Sequence, residues 1–298
     1  MAVRGTSVKR REDAPLLRGE GTFVADMKFD NPAYVHYLTS TMAHGKLLSI
    51  ETSAARSMPG VIDVITNSDL DIGPYPSANP LFDEAMIRPL LADERVRFVG
   101  EPVVAVVADS LSIAADAAEL IEIDYEPLDV VIDVEAALES EVLLFEGTDE
   151  GNVVCRMEAE GLDADFGSCE VVTEVRTLNN RLAPAPIETR VAAAEWTSDG
   201  RLHCFNAGQG PHPVRSVISS ILEIEKEQIR VVSRDVGGSF GAKARPSPEE
   251  ALLGWISKRV DRPVIWVPTR SDDMVGLGHG RGQVQYCRIG GTTDGNIT

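Results

Sequence analysis

The chain has 298 residues, long enough for two domains that each bury their own core. Its 47 Asp and Glu against 28 Lys and Arg give a formal charge of -19 and a pI near 4.6. That balance argues against nucleic acid or an anionic membrane as partner, since both demand a basic face. A hydrophobic content of 43% and a mean hydropathy of -0.06 describe a soluble globular protein. No apolar run approaches the roughly 20 residues that span a bilayer. The N-terminal MAVRGTSVKRRED is basic but has no apolar stretch after it, unlike a secretory signal. Cys155, Cys169, Cys204 and Cys287 are widely spaced with no CxxC pair, so reduced thiols in a cytoplasmic compartment are expected and a structural zinc or iron–sulfur site is not.

Residues 4 to about 70 read as extended and turn-rich. Short strands or turns are expected over Leu17 to Ala25 and Tyr34 to Leu38, and strands over Lys46 to Thr52 and Val61 to Thr66. Ser53 to Met58 makes a helical turn stopped by Pro59-Gly60, and the proline-bearing Asp71 to Asp83 is a surface loop. The clearest unit of this half follows. Val103 to Ala108 (VVAVVA) is a continuous apolar run of strand length, as expected when both faces are covered. Ser110 caps a helix over Leu111 to Leu120, and Ile121 to Tyr125 resumes as a strand, giving β–α–β. His36 and His44 have no His, Cys or carboxylate at ligand spacing and read as structural or surface residues.

Between about Glu139 and Glu170 acidic residues alternate with glycines and periodicity fades, which is how an exposed linker reads. The D-x-D-x-D-G order of a calcium loop is missing there. The second half alternates. Strands are expected over Val171 to Thr177, Val191 to Trp196, Arg201 to Asn206, Gln228 to Val236 and Pro263 to Val267. One helix begins near Pro213 with Val214, Val217, Ile218, Ile221 and Leu222 on its apolar face. A second, over Ala251 to Arg259, is announced by the capping box Ser247-Pro248-Glu249-Glu250. Crossovers of this length favour parallel neighbours, so Gln209 and the glycine loop Asp235 to Lys243 (DVGGSFGAK) would lie beyond strand carboxyl ends on one sheet edge. Ligands of α/β sheets bind at such edges.

The glycine loop invites several motif readings. A dinucleotide fingerprint needs glycine where Val236 stands; a P-loop needs glycine before Lys243 and a hydroxyl after it. Gly237-Gly238-Ser239-Phe240-Gly241 matches the G-x-S-x-G nucleophile elbow and follows a strand. Yet an elbow's helix begins at its serine, whereas the helix signal here begins near Pro248. A triad would need Asp272 or Asp273 with His279, close together in sequence. A serine hydrolase using Ser239 stays as the third alternative. Phe240 would either plug a core or line a pocket.

The segments LLRGEGTFVADM, MAHGKLLSIETSAARSMPGVIDVIT, VRFVGEPVVAVVAD and AADAAELIEIDYEPL, followed by APAPIETR, GQGPHPVR, DVGGSFGAK, SPEEALL and HGRGQ, together resemble one family in order and spacing along nearly the whole chain. It is the molybdenum hydroxylase large subunit, of xanthine dehydrogenase, aldehyde oxidase and aerobic carbon monoxide dehydrogenase, in its small bacterial form. The resemblance implies an α+β fold. An α/β hammerhead domain with its opening segment would occupy 1–138, an acidic linker 139–170, and the first part of a mixed α/β molybdopterin-binding domain 171–298, incomplete at the C-terminus.

The resemblance further implies a cofactor site. Gln209 would lie near an oxo ligand of the molybdenum without ligating it, donating a hydrogen bond from a neutral amide. Gly238, Ser239, Phe240 and Gly241 would place backbone N–H groups beside the molybdopterin and the substrate pocket. Partners would be a C-terminal remainder of the large subunit, an iron–sulfur small subunit and an FAD-binding medium subunit. The implied reaction oxidises a small substrate with metal-bound oxygen and passes electrons to those subunits. Some positions depart from the pattern: Ser239 stands where many members have glycine, Ala242 and Ser247 replace expected Gly or Asn and Tyr, and Thr39 replaces Arg. The family's general-base glutamate and its substrate-selecting loops would lie past Thr298, and Glu249 and Glu250 are helix-capping residues. On that reading no catalytic residue is carried here, and the lone chain is inactive, either one piece of an oxidoreductase or a silent folding or binding module.

Overall fold

A computed structural model describes residues 4–159 and 165–298. The first half contains α1 (Asp13–Leu17), β1 (Ala33–Thr39), β2 (Gly45–Glu51), α2 (Ser53–Arg56), β3 (Val61–Ile65), β4 (Arg95–Val96), β5 (Pro102–Ala108), α3 (Leu111–Ala118), β6 (Glu122–Pro127) and α4 (Ala136–Glu139). The second contains β7 (Val171–Asn179), β8 (Ala192–Trp196), β9 (Leu202–Asn206), α5 (Pro211–Leu222), β10 (Ile229–Val232), α6 (Pro248–Val260), β11 (Val264–Trp266), α7 (Arg270–Gly276) and β12 (Gln283–Gly291). The described residues from 140 to 159 and from 165 to 170 form only turns, bends and coil.

One seven-stranded sheet carries the molecule, in the order β10-β9-β8-β11-β1-β5-β3. It draws strands from both sides of the acidic stretch, joined where β1 runs parallel to β11. The apolar run of β5 explains its central place. Ala105 and Val107 enter the core under α5 and α6, while Val104, Val106 and Ala108 enter a second core under α3. Both faces are covered, as a strand without polar alternation requires. The unit around α3 is not a parallel β–α–β, however. β5 stays in the large sheet, and β6 leaves it to pair antiparallel with β2 in a three-stranded sheet, β4-β2-β6. The helix therefore lies between two sheets, with Ala114, Ala117 and Ala118 small enough to let both approach.

On the other half of the large sheet, β9 and β10 are parallel neighbours, while β8 lies antiparallel between β9 and β11. β9, β10 and β11 therefore point the same way, and the loops after them share an edge. Other local expectations shift. Leu17 to Ala25 is no strand: it holds the end of α1 and a 3-10 turn at Val24–Asp26. α5 starts at Pro211, with that proline and not Pro213 at the first position. β10 ends at Val232, so residues 233–236 run on without a strand partner into the glycine loop. The Ser247 capping box forms as read: its hydroxyl accepts from Glu250 N–H while Glu250 accepts from Ser247 N–H at 2.7 Å. Finally, β7 and β12 make a separate two-stranded antiparallel sheet.

Candidate cofactor site

The loops after β9 and β10 meet at Gln209. Gln209 donates its backbone N–H to the Lys243 carbonyl at 3.0 Å. Its side-chain oxygen Oε1 accepts from the Gly241 N–H at 2.8 Å and from the Ser239 hydroxyl at 2.5 Å. The Ser239 oxygen in turn accepts the Lys243 N–H at 3.1 Å. Among the described residues no protein group meets the Gln209 Nε2, which is left free to donate.

The loop conformation explains its composition. Gly238 and Gly241 have φ of +105° and +90°, where side-chain-bearing residues are strained. Gly237 is required for a different reason: a Cβ there would come 2.5 Å from the Glu188 Cβ. Nothing lies within 4 Å of a Cβ built on Gly241, so the space above that residue is open. Phe240 is no core plug. It is 76% exposed, holds φ at +54°, and lays its ring edge over Gly238, where an added Cβ would come 3.2 Å from it.

Glu188, from the APAPIETR segment, clamps the loop from beneath. Its Oε2 accepts the Gly237 N–H at 2.7 Å, and the Lys243 Nζ lies 3.6 Å from the same oxygen while donating to the Glu188 carbonyl at 2.8 Å. Burial pushes the Lys243 ammonium below its ordinary range, opposed by the Glu188 charge. The other carboxylate oxygen, Glu188 Oε1, is buried without a protein partner among the described residues.

Behind the loop lies a cavity of about 1030 Å³, lined among others by His44, Arg97, Arg190, Lys243, Glu250 and His279. Sequence reasoning missed its charged wall. Arg190 Nε donates to Asp273 at 3.0 Å and its Nη1 to Glu249 at 3.2 Å, with all three side chains buried and the Trp266 ring 5.3 Å from the guanidinium. Glu249 is thus an ion-pair partner as well as a first-turn helix residue. Glu250, beside it, has its acid raised to about 7 by burial, against the N–H it accepts from Ser247 and the charge of Arg190. The signal for Asp273 was legible as Thr269-x-x-Asp272, which forms a capping box opening α7. The hydrolase constellation does not assemble. The Ser239 oxygen bonds to Gln209 and Lys243, α6 begins at Pro248, and Asp272 is taken up by Thr269. His36, His44 and the four free cysteines form no cluster able to hold a metal among the described residues.

Two family models match. The aldehyde oxidase and xanthine dehydrogenase a/b hammerhead domain covers residues 18–129, and the molybdopterin cofactor-binding domain covers 145–298. The chain belongs to the molybdopterin-binding large subunits of the xanthine dehydrogenase and aldehyde oxidase family. The large subunit of nicotine 6-hydroxylase from Paenarthrobacter nicotinovorans is 37% identical over 99% of this chain and 37% of that one. The carbon monoxide dehydrogenase large chain of Afipia carboxidovorans is 32% identical over 98% and 38%. Quinoline 2-oxidoreductase from Pseudomonas putida 86 superposes with a TM-score of 0.88 at 36% identity, over 98% of this chain and 38% of that one. The chain therefore spans under two fifths of the length of these large subunits.

The hammerhead half accounts for β2, β4 and β6 packed on α3; the molybdopterin-binding half accounts for the loops after β9 and β10. No helix among the described residues is long and apolar enough to cross a membrane. The residues present suit the cofactor of this family. An open, glycine-walled face and an amide donor at Gln209 with no partner among the described residues are what a hydrogen-bonding ligand would complete.

Proposed function

We propose that this chain forms the first half of a molybdopterin cofactor site in a molybdenum-dependent hydroxylase or dehydrogenase. Gln209, Gly238, Ser239, Phe240 and Gly241 contact the cofactor, and the hammerhead domain (1–138) and molybdopterin-binding domain (171–298) flank the acidic linker 139–170. The observation that carries this reading is the Gln209 side chain, whose oxygen is bound by the glycine loop while its NH2 faces open space on the same sheet edge. When bound, the cofactor supplies the redox chemistry. This chain's own groups bind and orient: Gln209 donates a neutral hydrogen bond, which fixes a ligand oxygen without adding charge. The Glu188–Lys243 pair sets the height of the loop beneath it, and the Phe240 ring walls one side.

Partners in this reading are the region that the relatives carry beyond the matched part, an iron–sulfur subunit and an FAD-binding subunit, in a cytoplasmic complex of reduced thiols. The test is co-expression of this chain with those partners, purification of the complex, and elemental analysis. Molybdenum near one atom per complex, lost on Gln209→Ala or Phe240→Ala, is the expected result; a complex that purifies intact without molybdenum overturns it. The 298-residue chain alone is expected to show no dye-linked oxidation of aldehydes, purines or carbon monoxide.

A further inference from the structure

We propose that Ser239 is a positioning residue for Gln209, fixing which end of the amide is presented to the ligand. The inference rests on the reading of Gln209 as a cofactor-facing donor and deepens it. A primary amide has two ends of nearly equal shape, and only its surroundings decide which is which. Gln209 is an exposed glutamine with three rotatable side-chain bonds, so holding it still costs up to about 2 kcal/mol of rotamer entropy. The surroundings are unambiguous. The Gly241 N–H can only donate, so the atom 2.8 Å from it is the oxygen. Ser239 could in general donate or accept, but the amide oxygen facing it can only accept, so the hydroxyl gives its proton to Gln209 while a lone pair takes the Lys243 N–H at 3.1 Å. Two donors therefore converge on one oxygen, and the NH2 is directed away from the protein.

Ser239 is also well held itself. It is buried to 8% exposure, and its carbonyl accepts the Ala242 N–H at 3.1 Å, so the hydroxyl leaves from a closed turn. Alanine at 239 would leave the Gln209 oxygen with one donor, and the Lys243 N–H without its acceptor. The backbone of the turn and the bond from Gly241 would remain.

The experiment uses the 298-residue chain labelled with nitrogen-15 at glutamine side chains, with the Gln209 NH2 resonance assigned by its loss in Gln209→Met. In the native chain and in Ser239→Thr, which keeps a hydroxyl, that NH2 is expected to be ordered on the nanosecond scale. In Ser239→Ala and Ser239→Cys it is expected to become mobile, its order parameter falling from the rigid range of about 0.85 to below about 0.6. The indole resonances of Trp255 and Trp266 report whether each variant is folded, and the cysteine variant, close in volume to serine, decides should alanine disturb the loop. Equal mobility in the native chain and the folded variants overturns the proposal, as does a mobile Gln209 NH2 in the native chain. None of these readouts needs the cofactor. A failure of the cofactor reading appears as absent molybdenum in the complex, with the amide dynamics unchanged.

Discussion

The carboxylate of Glu188 and the ammonium of Lys243 grip the glycine loop at its two ends, with Glu188 taking the Gly237 N–H at 2.7 Å and Lys243 reaching back to the Glu188 carbonyl at 2.8 Å. Their side chains are 10% and 3% exposed, so each charge is the other's main compensation. Removing one partner of a buried pair leaves the other uncompensated, at about 3 kcal/mol. Lys243→Ala and Glu188→Ala are each expected to destabilise by about that amount in urea unfolding, and the double variant by less than their sum. Full additivity would show that the two residues act separately.

Glu250 makes stability depend on pH. Its folded acid is raised to about 7, above its ordinary 4.5, chiefly by burial, with Arg190, Glu249 and Lys243 as charged neighbours. The folded state therefore keeps a proton that the unfolded chain has released. This contribution favours folding fully below about pH 4.5 and is lost as pH rises through about 7. The loss from pH 5 to pH 8 is expected to reach about 3 kcal/mol at most. Glu250→Gln retains an acceptor for the Ser247 N–H and should flatten that slope, raising the melting temperature at pH 8 more than at pH 5. An unchanged slope in the variant would place the titration elsewhere.

Phe240 should separate stability from binding. The ring is 76% exposed and its backbone is held at φ +54°, a region costing about 1–2 kcal/mol for residues other than glycine. Phe240→Gly is expected to leave the chain as stable or to stabilise it by up to about 1 kcal/mol, while the assembled complex loses molybdenum. A variant that unfolds more readily would mean that the ring supports the loop after all.

The sheet of β7 and β12 presents one uncharged face. Val171, Val175, Cys287 and Ile289 lie on it, each exposed, while the other face carries Arg176 against Glu135 and Glu174 against Arg288. Those four side chains, exposed among Thr173, Thr177 and Gln285 on a face without charge, invite association in spite of the net charge of -19. Sedimentation is expected to show concentration-dependent oligomers, reduced by Val175→Lys with Ile289→Lys. A monomer at all concentrations would contradict this.

Much of the architecture was legible because local rules and global fold agree. VVAVVA read as a strand covered on both faces, Ser247-Pro248-Glu249-Glu250 as a helix start, and the order of strands and helices put Gln209 and the glycine loop on one edge. The separation of β5 and β6 into two sheets was not legible, since the helix pattern between them is the same in either case. The Arg190–Glu249–Asp273 cluster escaped for a related reason: its members come from three segments and share no spacing, so only the fold assembles them. At the site, the sequence supplied the residue types at Gln209 and Ser239. Which amide end faces outward came only from the direction of the Gly241 N–H bond.

The pairing of β1 with β11 sets a schedule for the growing polypeptide. A ribosome releases Ala33–Thr39 early, yet Val264–Trp266 emerges more than two hundred residues later. At about 5–20 residues per second, that edge of the sheet waits for roughly ten seconds or more before its neighbour exists. β5 can cover the other edge of β1 in the meantime, so the nascent sheet grows on one side first. Until β11 arrives, the open side of β1 is where a chaperone, or a wrong strand, would bind.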